Sequence, residues 1–214
     1  MRWISLILVS VMIATLTFGC AQKKEEIKPA EELYAEASGL AKKGKVEKAV
    51  EAFMQVRTYY PANDLARKSL LGTADLYFDQ ELYADALKNY DEFRLLYPTD
   101  PEAGYCLYRI AMCHYKQMGT FDRDQTETSK AIQTYETFLK TYPSSPHAPD
   151  ATSKLKEAKT LLVTHYVSIG KYYLKKHNAK AACNRFRLVK NLYPDITLDE
   201  DIDALIATAC TTTN

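Results

Sequence analysis

The sequence predicts an all-α fold, a solenoid of four helix pairs closed by one terminal helix, and three observations carry that expectation. The dipeptide Tyr-Pro recurs four times, at Tyr60-Pro61, Tyr97-Pro98, Tyr142-Pro143 and Tyr193-Pro194. Upstream of each proline stands one skeleton, an alanine 12 residues before it and an aromatic eight before it: Ala49 and Phe53, Ala86 and Tyr90, Ala131 and Tyr135, Ala182 and Phe186. Glycine is scarce, 7 of 214 residues, as suits a chain that is nearly all helix, where each glycine costs backbone entropy. An alanine and an aromatic four apart share one helical face, and the small residue lets a neighbouring helix approach closely. Proline then ends the helix, because it lacks the N–H that would continue the ladder and restricts the tyrosine before it.

At the start of the chain, Met1 and Arg2 form a short positive region, and residues 3–18 carry no charge and are mostly Ile, Leu, Val and Met. That run falls short of the roughly 20 apolar residues a membrane-spanning helix needs, so it reads as an export signal. Gly19-Cys20 ends it, followed at once by the charged stretch through Glu26. A cysteine after a small residue at that point resembles a bacterial lipoprotein cleavage site, although Thr17 and Phe18 occupy the usual Leu and small-residue places and Leu16 is displaced by one. The resemblance implies that residues 1–19 are removed, that Cys20 is lipidated, and that residues 20–30 are a linker. Ala21, where an Asp would retain the protein at the inner membrane, favours the outer membrane. Loss of Arg2 brings the formal charge from +1 to zero, so no basic patch for nucleic acid is expected. Hydrophobic residues at 47% and charged residues at 26% exclude disorder as the main state.

Residues 31–143 hold the first three repeats and 144–214 the rest. The first helix of a pair shows its own pattern: Leu70-x3-Ala74-x2-Tyr77 recurs as Tyr166-x3-Gly170-x2-Tyr173, and Leu107-x3-Ala111 matches with eight residues inserted before Ala131. The insertion falls in a loop over 117–126. From about residue 150 to 176 there is no proline and only Gly170, which predicts one long helix with a face its own repeat does not cover. Asp100-Pro101 and Ser145-Pro146 predict N-caps with proline at the first helical position. Thr197-x-x-Glu200 predicts a capping box opening a terminal helix that runs to about Cys210. Paired helices, a small-large-small pattern and a closing proline resemble the tetratricopeptide repeat, in which each pair buries its face against the next.

A lipidated tetratricopeptide solenoid with the inserted stretch Phe121 to Thr126, with Tyr97 to Tyr105, and with Ile169-Gly170-Lys171-Tyr172-Tyr173-Leu174 resembles the BamD family of outer-membrane protein assembly lipoproteins, from Cys20 to about Pro194. That family generally carries five complete repeats; here the first helix of the fifth is present. The resemblance implies a scaffold on the periplasmic face of the outer membrane. Its partners would be a BamA-like insertase, unfolded β-barrel precursors recognised by their C-terminal segment, and other assembly lipoproteins. Two other functions fit a periplasmic repeat protein: a soluble coordinator of peptidoglycan synthesis or cell division, and an adaptor lipoprotein recruiting hydrolases.

No enzyme, metal site or cofactor is expected. His114, His147, His165 and His177 are scattered without the i, i+4 spacing of a helical metal site. Cys106 and Cys113 lie about 10 Å apart along one helix, too far for a disulfide, and read as core thiols. Cys183 and Cys210 lie on successive helices and either meet in an oxidising compartment or stay free. In this repeat the first helix of each pair faces inward. Projecting the register places Tyr34, Lys42, Leu71, Asp75, Phe78, Tyr105, Tyr108, Met112, Tyr115, Lys171, Leu174 and Lys175 on that face, a groove of rings suited to a peptide with apolar anchors. For partner docking the candidates are Asp122, Arg123 and Asp124 in the inserted loop, with Lys171 and Lys175 on the long helix; Arg123 is able to hold a carboxylate bidentately.

Overall fold

The computed structural model describes residues 27–211, and the expectations for the signal and for Cys20 lie outside them. The described residues form nine helices. They are α1 Ala30–Lys42, α2 Val46–Tyr59, α3 Asp64–Asp79, α4 Tyr83–Leu96 and α5 Ala103–Lys116. After the inserted loop come α6 Thr126–Thr141, α7 Ala148–Lys175, α8 Ala179–Leu192 and α9 Ile202–Thr211. Each helix packs on the next in sequence; in addition α1 touches α3 and α5 touches α7. Contacts that skip a helix occur on the inside of a curve, so the first helix of each pair lines the inner face.

The sequence repeat is a repeat of hydrogen bonds. Each tyrosine of Tyr-Pro has left its helix, with φ between −129° and −133° and ψ between 51° and 60°, while its N–H still donates to the carbonyl four residues back. The turn inside a pair is equally regular. In pairs one, two and four the residue 17 before the proline, Gly44, Glu81 or His177, has φ of 67°, 60° or 56°. There the N–H of the following residue reaches back to Leu40, Tyr77 or Tyr173, which satisfies carbonyls the helix end leaves open.

The skeleton is the core. Ala49, Ala86, Ala131 and Ala182 are fully buried, and Phe53, Tyr90, Tyr135 and Phe186 are buried with them. Three residues further on, Val56, Phe93, Phe138 and Val189 complete the same stripe. Each such side chain contributes about 1.5–3 kcal/mol. On the first helices Ala37, Ala74, Ala111 and Gly170 supply the small contact, all buried.

The long helix α7 spans 28 residues, or about 42 Å. Its middle receives the inserted loop: His165 Nδ1 donates to the Phe121 carbonyl at 2.6 Å. Gln125 is buried and holds the loop from inside, its amide donating to the carbonyls of Thr120 and Arg123, its oxygen accepting from Thr128.

Three local expectations are corrected or resolved. The Thr197–Glu200 capping box does not form; α9 starts at Ile202, and Asp201 Oδ1 accepts from the N–H of Asp203 at 2.9 Å and of Ala204 at 3.1 Å. Ile196 and Leu198 pack into the last core cluster, which keeps the segment before Asp201 out of the helix. Asp100 and Ser145 do not cap: α5 and α7 open after Glu102 and His147, neither of which caps by its side chain, and Asp100 and Ser145 accept the Glu102 N–H (2.8 Å) and His147 N–H (3.3 Å) within the preceding turns that also hold Pro101 and Pro146. Cys183 and Cys210 are joined, with Cα atoms 5.1 Å apart, while Cys106 and Cys113 are buried free thiols that burial pushes up to about 12.

Candidate functional site

The inner face between the second and third pairs is organised around Asp75 of α3. One oxygen of its carboxylate accepts the hydroxyls of Tyr90 (2.5 Å) and Tyr105 (2.7 Å). Arg109, one turn beyond Tyr105 on α5, donates from Nε to the Tyr90 hydroxyl at 2.9 Å. Its guanidinium lies 3.6 Å from the centre of the Phe78 ring and 3.7 Å from both Asp75 and Asp79. Burial, reinforced by the Asp75 charge, pushes both phenols far above their ordinary range. These hydroxyls are therefore fixed donors, which suits a rigid recognition surface.

A second cluster bridges α5 and α7. The Tyr108 hydroxyl donates to Asp150 at 2.6 Å, and its ring stacks on His147 with centroids 4.5 Å apart. Tyr115 donates to Glu157, a bond that with burial raises the phenol to about 12. Burial opposes ionisation of Asp150, yet the Lys154 ammonium at 2.5 Å and the Tyr108 hydroxyl outweigh it and hold the carboxyl below the usual range. Met112 lies partly buried beside Tyr115 in the same core cluster.

The predicted groove residues thus separate. Leu71, Phe78, Tyr105 and Asp75 come together around the second core cluster, and Met112 and Tyr115 lie along the next stretch of α5. Tyr34 stands apart, packed on Phe53 in the first repeat. Tyr108 is a correction: it is buried beneath His147 and supports the face without lining it. Lys42 is exposed at the end of α1, and Leu174 packs into the last core cluster. Sequence reasoning missed Arg109, His147, Asp150 and Glu157. Only Arg109 left a trace, a lone charge one turn from Tyr105 on an aromatic stripe.

The docking candidates lie in the inserted loop and along the second half of α7. Asp122 accepts from Thr120, and Asp124 Oδ1 accepts the Thr126 N–H at 2.9 Å in the turn that leads into α6. Arg123 is exposed and makes no ion pair among the described residues. Lys171 pairs with Glu200, and Lys175 is exposed in the last turn of α7. Phe121, Val167, Lys171, Leu198 and Glu200 line a cleft of 320 Å³ where the inserted loop, α7 and the segment before α9 converge.

The YfiO outer membrane lipoprotein family matches residues 26–209, which is almost the whole of this helical stack. Among curated relatives, the outer membrane protein assembly factor BamD of Caulobacter vibrioides is 31% identical over 188 residues, 85% of this chain and 62% of that protein. The proteins of the same name from Rickettsia prowazekii and Neisseria gonorrhoeae are 28% and 27% identical, over 90% and 92% of this chain and 78% of each relative. The chain therefore spans less than two thirds of the Caulobacter relative. With four pairs in register, a terminal helix and a match that runs through all of them, this chain belongs to the YfiO family of outer membrane lipoproteins.

Proposed function

We propose that the protein is a non-enzymatic scaffold of outer-membrane β-barrel assembly, anchored through a lipid on Cys20 at the periplasmic face. The match across residues 26–209, with relatives named as assembly factors, carries this reading. On this account the inner face around Phe78, Tyr105, Met112 and Tyr115 receives the C-terminal segment of a barrel precursor, whose apolar side chains find rings already fixed by Asp75 and Glu157. The inserted loop with Arg123 and the second half of α7 with Lys171 and Lys175 receive a BamA-type insertase. The Cys183–Cys210 bridge supports an oxidising compartment, where such bonds persist.

Gentle detergent extraction from the native membrane tests the assignment. The protein should come out together with a large β-barrel that carries periplasmic domains. Recovery alone, or with a hydrolase in place of a barrel, contradicts it. The mass of the mature N-terminus checks the anchor separately, an acylated Cys20 being the expected result.

A further inference from the structure

Four large apolar side chains stand in water at one edge of the solenoid. Ile27 is 53% exposed, Tyr59 47%, Leu95 79% and Leu96 53%. Tyr59 closes α2, Leu95 and Leu96 close α4, and Ile27 lies just ahead of α1. These ends are neighbours: the Tyr60 hydroxyl donates to the Lys28 carbonyl at 2.8 Å, and Arg57 in the last turn of α2 pairs with Glu92 on α4. The four therefore belong to one edge, the one at which the linker from Cys20 enters.

We propose that this edge rests on the lipid surface, with Ile27, Tyr59, Leu95 and Leu96 seated at the boundary between headgroups and acyl chains. The proposal rests on the Cys20 anchor described above. Ile27 is seven steps along the chain from Cys20, and seven steps reach at most about 25 Å, so an anchored Cys20 keeps this edge beside the bilayer. Leu82, which immediately precedes α4 at its other end, is 14 residues or about 21 Å from Leu96. No helix among the described residues is long and apolar enough to cross a membrane, so the contact is a surface one, of the depth at which tyrosine and leucine insert. The field contributes little. Lys28 is paired with Glu32 and Glu36, Arg57 with Glu92, and Arg67 with Asp64 and Asp100, which leaves Arg94 in the last turn of α4 without an ion pair among the described residues, so the attraction is chiefly apolar.

The only tryptophan, Trp3, precedes Cys20, so a chain that starts at Cys20 has none and a single introduced tryptophan reports its own surroundings. Cys106 and Cys113 are buried and Cys183 is bonded to Cys210, which leaves Cys20 to be coupled to a maleimide-headgroup lipid in phosphatidylcholine vesicles. With acyl chains brominated near the headgroup, Leu95→Trp should shift to shorter wavelength and lose emission. Leu82→Trp, just ahead of the same helix and with the same tether, should behave as it does without vesicles. Tyr59→Trp repeats the measurement should Leu95→Trp lose helix content. No quenching at either edge position, or equal quenching at 95 and 82, overturns the proposal. Because the coupling is chemical, these outcomes do not depend on what the cell does to Cys20. An unacylated Cys20 in cells would remove the anchor, while a vesicle result would still report the edge.

Discussion

Glu81 and His177 occupy the left-handed position that Gly44 fills in the first pair, with φ of 60° and 56°. A side chain there crowds its own backbone, which glycine avoids. Glu81→Gly and His177→Gly are each expected to stabilise the protein by about 1 kcal/mol, read as a higher urea midpoint at unchanged slope. A lower midpoint would mean that the side chains do more than tolerate the turn. Asp75 is the reverse case. Its carboxylate accepts two phenols and faces Arg109, and the Tyr90 ring beside it is fully buried. Asp75→Ala leaves those donors without their acceptor and should cost about 2 kcal/mol, whereas Asp75→Asn keeps an acceptor oxygen and should cost clearly less. Equal losses in both variants would show that the charge, rather than the hydrogen bonding, is what matters.

The elements most exposed to perturbation are the last helix and the start of α7. The ten residues of α9 bury Ala209 and partly bury Ile202, Leu205 and Ile206, and the bridge to Cys183 fastens them over Phe186 and Val189. Closing 27 residues of chain should contribute about 3–4 kcal/mol through the unfolded state. Cys183→Ser with Cys210→Ser, and the reduced natural chain, should therefore unfold at similarly lowered temperatures; an unshifted double variant would mean that packing alone holds the cap. The junction of α5 with α7 should be acid-sensitive. Asp150 ionises below the usual carboxylate range in the fold, so its contribution is complete above the unfolded value of about 3.9 and is lost as pH falls through the lower folded one. Natural stability should fall more steeply on acidification than that of Asp150→Asn, and parallel curves would assign the acid loss elsewhere.

Much of the fold is legible in the sequence. The period of small and aromatic residues is set by how closely helices approach, so Ala86, Tyr90 and the Tyr-Pro stops announce themselves at every repeat. Caps and site residues obey no such period. Whether Glu200 or Asp201 governs the start of α9 depended on Leu198 finding a place in the core, and Tyr108 sank because His147, from the turn before α7, covers it. Arg109 is the clearest omission: a charge earns its place on an aromatic face through partners on α3 and α4, which no local pattern displays. The same long-range construction makes the inner face a fixed surface, and its role is read most directly by peptide binding. A peptide bearing the C-terminal segment of a barrel precursor, with its terminal aromatic, should bind the natural chain. Phe78→Ala and Tyr115→Ala should weaken that binding about tenfold, a loss of about 1.4 kcal/mol, with helix content unchanged. Met54→Ala, on the outer face of α2, should leave it alone. Undiminished binding in both inner-face variants would contradict the account.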